Sequence, residues 1–105
     1  MRGAFIVITR TQFVDAVGQE DLDLLLASLP IFEKQPGLIS IRMHIAEDRS
    51  HTMSYMEWRS RADHEACMTS PDFAEFQPRW MGLLASGRAK FEISTYQPLA
   101  ITTTA

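Results

Sequence analysis

Two consecutive segments at the centre of the chain alternate between apolar and polar side chains, and this pattern constrains the fold most. In residues 38–46, one face carries Ile39, Ile41, Met43 and Ile45, and the other carries Ser40, Arg42 and His44. In residues 51–58, the corresponding faces carry Ser54, Met56 and Trp58, and Met53, Tyr55 and Glu57. A period of two is the repeat of a β-strand. The polar residues 47–50 have hairpin length, so the pattern predicts an antiparallel pair.

Helical periodicity flanks this hairpin on both sides. Before it, leucines recur at helical spacing and Pro30 ends or kinks the helix: Leu22, Leu25, Leu26 and Leu29. After it, Ser60 is a candidate cap for a short helix over 61–69, and Ser70-Pro71 restarts a helix. The apolar stripe of that last helix is Phe73, Phe76, Trp80 and Leu84. Residues 4–14 and 89–97 are rich in β-branched and aromatic types and are predicted strands.

The resulting order β-α-β-β-α-β predicts one α+β domain over residues 1–105 with a ferredoxin-like antiparallel sheet. The helices are expected on one face of that sheet. Several strands carry apolar residues on both faces, which favours a face-to-face homodimer. The tail, residues 98–105, is expected to fray or to add an edge strand in the dimer.

Charge and composition limit the partners. The net charge is −3 and no basic run occurs, so nucleic-acid binding is not expected. No stretch approaches the roughly 20 apolar residues of a membrane span, and the apolar run near the N-terminus is too short for a signal peptide. The one cysteine, Cys67, permits no intrachain disulfide. We therefore expect a cytoplasmic protein that binds neither nucleic acid nor membrane.

Residues 36–73 resemble the core pattern of the antibiotic biosynthesis monooxygenase (ABM) superfamily. That pattern is a Pro-Gly pair, a strand, an acidic turn, a strand ending Y-x-x-W-x-S, a helix and a D-F pair. The matching residues are Pro36, Gly37, Tyr55, Trp58, Ser60, Asp72 and Phe73. The resemblance implies a dimeric α+β barrel, and with the flanking strands it covers nearly the whole chain.

The resemblance also separates possible activities. The haem-degrading branch has an asparagine in its first strand, and its tryptophan and histidine fall here at Cys67 and Gln77. None of these residues is kept, so haem degradation is not expected. The branch that oxidises anthrone-like compounds to quinones is similar at Trp58. Its other cavity residues are replaced by Met43, Ser54 and His64 in this chain.

Four residues are candidates for chemistry. Trp58 could stack on a flat substrate, or it could be a core residue at a strand end. His64 or His44 could accept a phenolic proton, although His64 could equally be a solvated helix residue. Arg42 could hold an anionic oxygen, or it could form an ion pair at a dimer interface with Glu57 or Glu92.

Further side chains are expected to contact a substrate. They are Met43, Ser54, Met56 and Trp80, of which Trp80 fits an ordinary core position equally well. The histidine spacing predicts no metal site, and no nucleotide-binding motif occurs. The resemblance therefore implies a monooxygenase without a bound cofactor, acting with O₂ on a planar phenolic or anthrone-like small molecule. The alternative is a non-catalytic binding or assembly module with the same dimeric fold.

Overall fold

The structure, a computed structural model, describes residues 4–104. Its strands are β1 (Phe5–Phe13), β2 (Leu38–Ile45), β3 (His51–Trp58) and β4 (Ala89–Tyr96). Its helices are α1 (Gln19–Ala27), α2 (Leu29–Glu33), α3 (Arg61–Met68) and α4 (Pro71–Ala85). The expected order of elements is confirmed, with the first helix divided in two.

The four strands form one antiparallel sheet in the order β2-β3-β1-β4. This order and the helices on one face are the ferredoxin-like arrangement that the sequence predicts. The strand register aligns paired residues of neighbouring strands in rows that run across the sheet. One row contains Thr9 of β1 and Ser54 of β3, and the next contains Thr11 and Thr52.

Local signals explain where the helices begin. The Ser60 hydroxyl accepts a hydrogen bond from the Asp63 N–H at 3.2 Å, and the Ser70 hydroxyl accepts one from the Phe73 N–H at 3.3 Å. Both are N-caps of the expected kind. The first helix ends at Ala27, and α2 begins with Pro30 in its first turn, where a missing N–H costs nothing.

Strand β2 departs from the predicted alternation at its start. The pairing with β3 shifts between Leu38 and Ser40, so Leu38, not Ile39, lies opposite Trp58 and packs on the core. Ile39 is 42% exposed as a result. A β-bulge of this kind moves an extra residue out of the ladder, which periodicity alone cannot reveal. Beyond the bulge, Ile41, Met43 and Ile45 share the helix-covered face, as predicted.

The helix-covered face of the sheet has two apolar cores, one at each end of β1. The first core comprises Phe5, Val7, Phe32, Met56, Trp58 and Cys67. The second core comprises Phe13, Val17, Leu83 and Ala89. Between them, β1 contributes Thr9 and Thr11, which are too small and polar to fill the space under the helices. The fold therefore leaves a cavity in the middle of this layer.

After β4, residues 97–104 form neither helix nor strand, and Leu99 is fully exposed. The tail thus forms no edge strand on its own sheet, and its expected role in a dimer stays a prediction. Ala105 lies outside the described residues. Among residues 4–104, no helix combines the length and apolar character that crossing a bilayer requires.

Candidate functional site

An apolar cavity of about 470 Å³ lies between the sheet and the four helices. Two rows of sheet residues form its floor. The first row is Met43, Ser54, Thr9 and Ile93, and the second is Ile45, Thr52, Thr11 and Phe91. In each row the two central strands carry hydroxyls and the two outer strands carry apolar side chains. The floor is therefore polar along its midline and apolar on both sides.

The helices close the cavity with leucine and aromatic side chains. From α1 and α2 these are Leu22, Leu25, Leu26 and Phe32, and from α4 they are Phe73, Phe76, Trp80 and Leu84. Leu26 and Met81 are each about half exposed, so the cavity opens to solvent between α1 and α4. Three leucines of the predicted stripe, Leu22, Leu25 and Leu26, thus line the cavity, and Leu22 also packs against the second core.

All five methionines that the structure describes border this cavity. They are Met43, Met53, Met56, Met68 and Met81. Unbranched thioether side chains adapt to irregular shapes and contact aromatic rings favourably. A wall of this composition suits a flat, apolar ligand.

Charged side chains are absent from the cavity lining within the described residues. The titratable groups among the lining residues are His44 and His64. Burying a charge without a partner is costly, and a bound carboxylate or phosphate would find no opposite charge in this cavity. The cavity is therefore suited to an uncharged ligand.

His64 is the imidazole that α3 presents to the cavity. It is 8% exposed, and its ring lies 5.4 Å from the Trp58 ring and 5.7 Å from the Phe5 ring between centroids. Burial is the main reason that the pKa of His64 falls below its ordinary 6.5; Glu65 opposes this effect and Arg61 reinforces it. The interpretation of His64 as a solvated helix residue is therefore wrong. At neutral pH it is an uncharged imidazole whose Nε2 has no hydrogen-bond partner among the described residues.

Trp58 lies behind His64 and not in the cavity wall. Its side chain is fully buried at the end of β3, in edge contact with Phe32 and His64. Its indole N–H also has no partner within residues 4–104. The alternative of a core tryptophan at a strand end is confirmed. Trp58 therefore influences a ligand through the lining residues that it contacts, His64 and Phe32.

A close contact with the start of β2 fixes the position of α3. A Cβ added to Gly37 would lie 2.2 Å from Cβ of Asp63, so only glycine fits there. The Gly37 carbonyl accepts a hydrogen bond of 2.8 Å from the Arg59 N–H, and the Arg59 side chain donates to the Asp63 carboxylate at 3.0 Å. This arrangement brings the N-terminus of α3 down onto the sheet. It thereby places His64, one residue beyond Asp63, at the cavity.

Arg42 and His44 lie on strand β2 with side chains on the face opposite Met43. Arg42 is exposed, faces Tyr55 across the ladder and does not line the cavity. His44 borders the cavity but is also exposed, and the strand alternation directs its ring away from the helices. These placements do not support the expected roles of Arg42 as an anion ligand and His44 as a base.

The other expected contact residues do line the cavity: Met43, Ser54, Met56 and Trp80. Three further hydroxyls line the cavity beside Ser54 and were not predicted from the sequence: those of Thr9, Thr11 and Thr52. The Thr9 and Ser54 hydroxyls are hydrogen-bonded to each other. The available signal was that β1 interrupts its apolar face with two threonines, at positions i and i+2, between Val7 and Phe13.

Metal and thiol chemistry have no support in the described part of the chain. No group of three or more His, Cys, Asp or Glu side chains there could hold a metal ion. Cys67 is fully buried, and its burial raises the pKa of the thiol to about 11, so it stays protonated.

The fold and the cavity define an α+β ferredoxin-like domain that encloses an apolar cavity. The sequence profile of the antibiotic biosynthesis monooxygenase family matches residues 4–79, and the chain belongs to this family. No curated protein matches the sequence significantly.

Several solved structures share the fold of this chain. SnoaB from Streptomyces nogalater, described as a cofactor-independent oxygenase, is 15% identical with a TM-score of 0.78 over 94% of this chain and 96% of its own. Rv0793 from Mycobacterium tuberculosis is 18% identical with a TM-score of 0.80 over 96% of this chain and 100% of its own. A conserved protein from Methanosarcina mazei Go1 is 22% identical with a TM-score of 0.73, covering 90% and 91% of the two chains. At these identities the similarity establishes the fold.

Proposed function

We propose that this protein is a cofactor-independent monooxygenase that oxidises an uncharged, planar phenolic or anthrone-like molecule with O₂. The observation that carries the proposal is an apolar, uncharged cavity beside a buried, neutral imidazole, that of His64. Family membership and the fold shared with a cofactor-independent oxygenase point to the same chemistry.

In the proposed reaction the substrate supplies the electrons. His64 takes a proton from the phenol or from the activated methylene, which leaves an electron-rich anion. That anion reduces O₂; the methylene carbon keeps one oxygen atom as a carbonyl, and the second leaves as water with the two methylene hydrogens. Because neutral imidazole accepts a proton directly, the lowered pKa of His64 keeps the base ready at neutral pH.

Trp58 is proposed as a positioning residue in this reaction. Its ring contacts His64 edge-on and, together with Phe5, fixes the orientation of the imidazole. Met43, Met56 and Trp80 are proposed to contact the flat faces and edges of the substrate. Ser54 is proposed to bond to a substrate oxygen.

Oxygen uptake with a panel of anthrones tests the proposal, because each has the methylene carbon that the reaction oxygenates. We expect saturable uptake that falls about 10²- to 10⁴-fold in His64→Gln, the usual contribution of a general base. His51→Gln is the matched control, because it makes the same change at an imidazole that does not line the cavity. Uptake that is unchanged in His64→Gln, or equally reduced in both variants, would rule out His64 as the base.

The second candidate function is a non-catalytic ligand-binding module. It is favoured by the burial of Trp58 behind His64, since the aromatic side chain expected to stack on a substrate then does not line the cavity. Tight binding of an anthrone with no oxygen uptake above its autoxidation would identify this function.

The protein is also proposed to act as a homodimer through the sheet face that the helices leave open. That face carries apolar side chains on three strands: Ile8, Tyr55 and Tyr96. Tyr96 is 49% exposed in the single chain. Sedimentation equilibrium should give twice the chain mass, and Tyr96→Glu should shift the equilibrium to monomer. A wild-type chain that sediments as a monomer at micromolar concentration would exclude this dimer.

A further inference from the structure

The two hydroxyl pairs on the cavity floor form a quartet: Thr9, Ser54, Thr11 and Thr52. Each hydroxyl has one donor and two acceptor sites. The bond between Thr9 and Ser54 uses only one donor and one acceptor of this set. The quartet therefore keeps both donor and acceptor capacity on an otherwise apolar surface, and it carries no charge.

The position of the Thr11–Thr52 pair relative to His64 limits the shape of the ligand. His64 contacts Phe5 at the start of β1, and Thr11 lies six residues further along that strand. At the rise of an extended strand this is about 20 Å between the Cα atoms of Phe5 and Thr11. A single ring cannot contact both ends of the cavity, so this geometry favours an elongated ligand over a compact one.

The surroundings of the pair favour recognition of a neutral oxygen. Ile45 and Phe91 flank Thr11 and Thr52 in the same row. Thr11 is 2% exposed and the pair lies at the cavity surface, so water competes poorly for its hydrogen bonds. A ligand oxygen at this position can form a hydrogen bond with the threonine hydroxyls, whereas a hydrocarbon edge would leave those hydroxyls without a partner.

We propose that Thr11 and Thr52 form a second polar contact in the cavity, which selects elongated polycyclic ligands bearing a neutral carbonyl or phenol on the ring farthest from His64. The inference rests on the proposed function, because it takes this cavity as the ligand site. It assigns orientation to the threonine pair and leaves proton transfer to His64.

The test is equilibrium binding without turnover, under anaerobic conditions at a pH that keeps phenols neutral. The ligands are anthraquinone and 2,6-dihydroxyanthraquinone, which share the ring system and differ in oxygens at its two ends. Both are already quinones, so they are not consumed by the proposed oxidation. Calorimetry reports binding, as does tryptophan fluorescence, to which the lining residue Trp80 contributes.

We expect wild type to prefer the dihydroxy ligand. Thr11→Val and Thr52→Val should each reduce that preference about five-fold, the contribution of one neutral hydrogen bond, without weakening anthraquinone binding. Thr95→Val is the matched control, since Thr95 shares the sheet face but does not line the cavity. Its preference should equal that of wild type.

Three outcomes would overturn the inference: equal weakening of both ligands, an unchanged preference in both variants, or no binding of either ligand to wild type. Thermal unfolding of each variant identifies a folding defect, and the second variant keeps the test decisive. Oxygen uptake is measured separately. Selective binding without oxygen uptake would reject the monooxygenase function and keep the threonine contact. Oxygen uptake without selective binding would keep the monooxygenase function and reject the threonine contact.

Discussion

Replacing Gly37 by alanine should destabilise the protein because the new methyl group would overlap the N-terminal turn of α3. The added Cβ would lie 2.2 Å from Cβ and 2.3 Å from Cγ of Asp63. These atoms are at the base of the side chain, so a rotamer change cannot remove the overlap. Asp63 is further held by the Ser60 cap and the Arg59 guanidinium. The strand and the helix must therefore move apart.

The expected cost follows from this overlap. Overpacking a tight contact typically costs about 1–3 kcal/mol. For a domain of this size each kcal/mol lowers the melting temperature by about 4–8 °C, so Gly37→Ala should lose roughly 5–20 °C. Gly82→Ala is the matched control: no atom lies within 4 Å of its new Cβ, and it should gain about 0.5–1 kcal/mol from helix propensity.

Urea unfolding of both variants measures the two changes, and a double-mutant cycle tests the cause. In an Asp63→Gly background the overlapping Cβ is gone, so the cost of Gly37→Ala should fall. A cost that stays the same in that background would refute the overlap as its source. A stabilised Gly37→Ala protein would refute the whole argument.

Two further predictions concern charge. Burial holds the pKa of His64 in the folded protein below 6.5, so as the pH falls the unfolded chain takes up a proton on this histidine first. The contribution of His64 to the free energy of unfolding should therefore be fully present above pH 6.5. It should be lost as the pH drops toward the pKa of the folded protein. Urea midpoints over this window should show the fall in wild type, and an equal fall in His64→Gln would contradict it. Asp21 is buried and accepts hydrogen bonds of 2.7 and 2.8 Å from Arg88, which is largely exposed. Asp21→Asn should cost about 1–3 kcal/mol by thermal unfolding, whereas Asp23→Asn, at an exposed position on the same helix, should cost little; equal costs would contradict the prediction.

The candidate site was predictable only in part. Side chains that follow from strand alternation, such as Met43, Ser54 and Met56, were placed correctly because the hairpin register fixes which face they share. His64 was left open between base and surface residue, since its burial depends on how closely α3 approaches the sheet. That approach depends on Gly37, which in sequence indicates only a turn.

By itself, the sequence determined the order of strands and helices, their approximate ends and the family. These follow from local periodicity, capping residues and a motif, all of which lie close together along the chain. Tertiary structure alone decided that the space between the two cores is a cavity, that Trp58 lies behind His64 and that two threonine pairs meet on its floor. Such facts depend on contacts between residues far apart in sequence, such as Thr11 and Thr52, whose pairing is set by the register of the whole sheet.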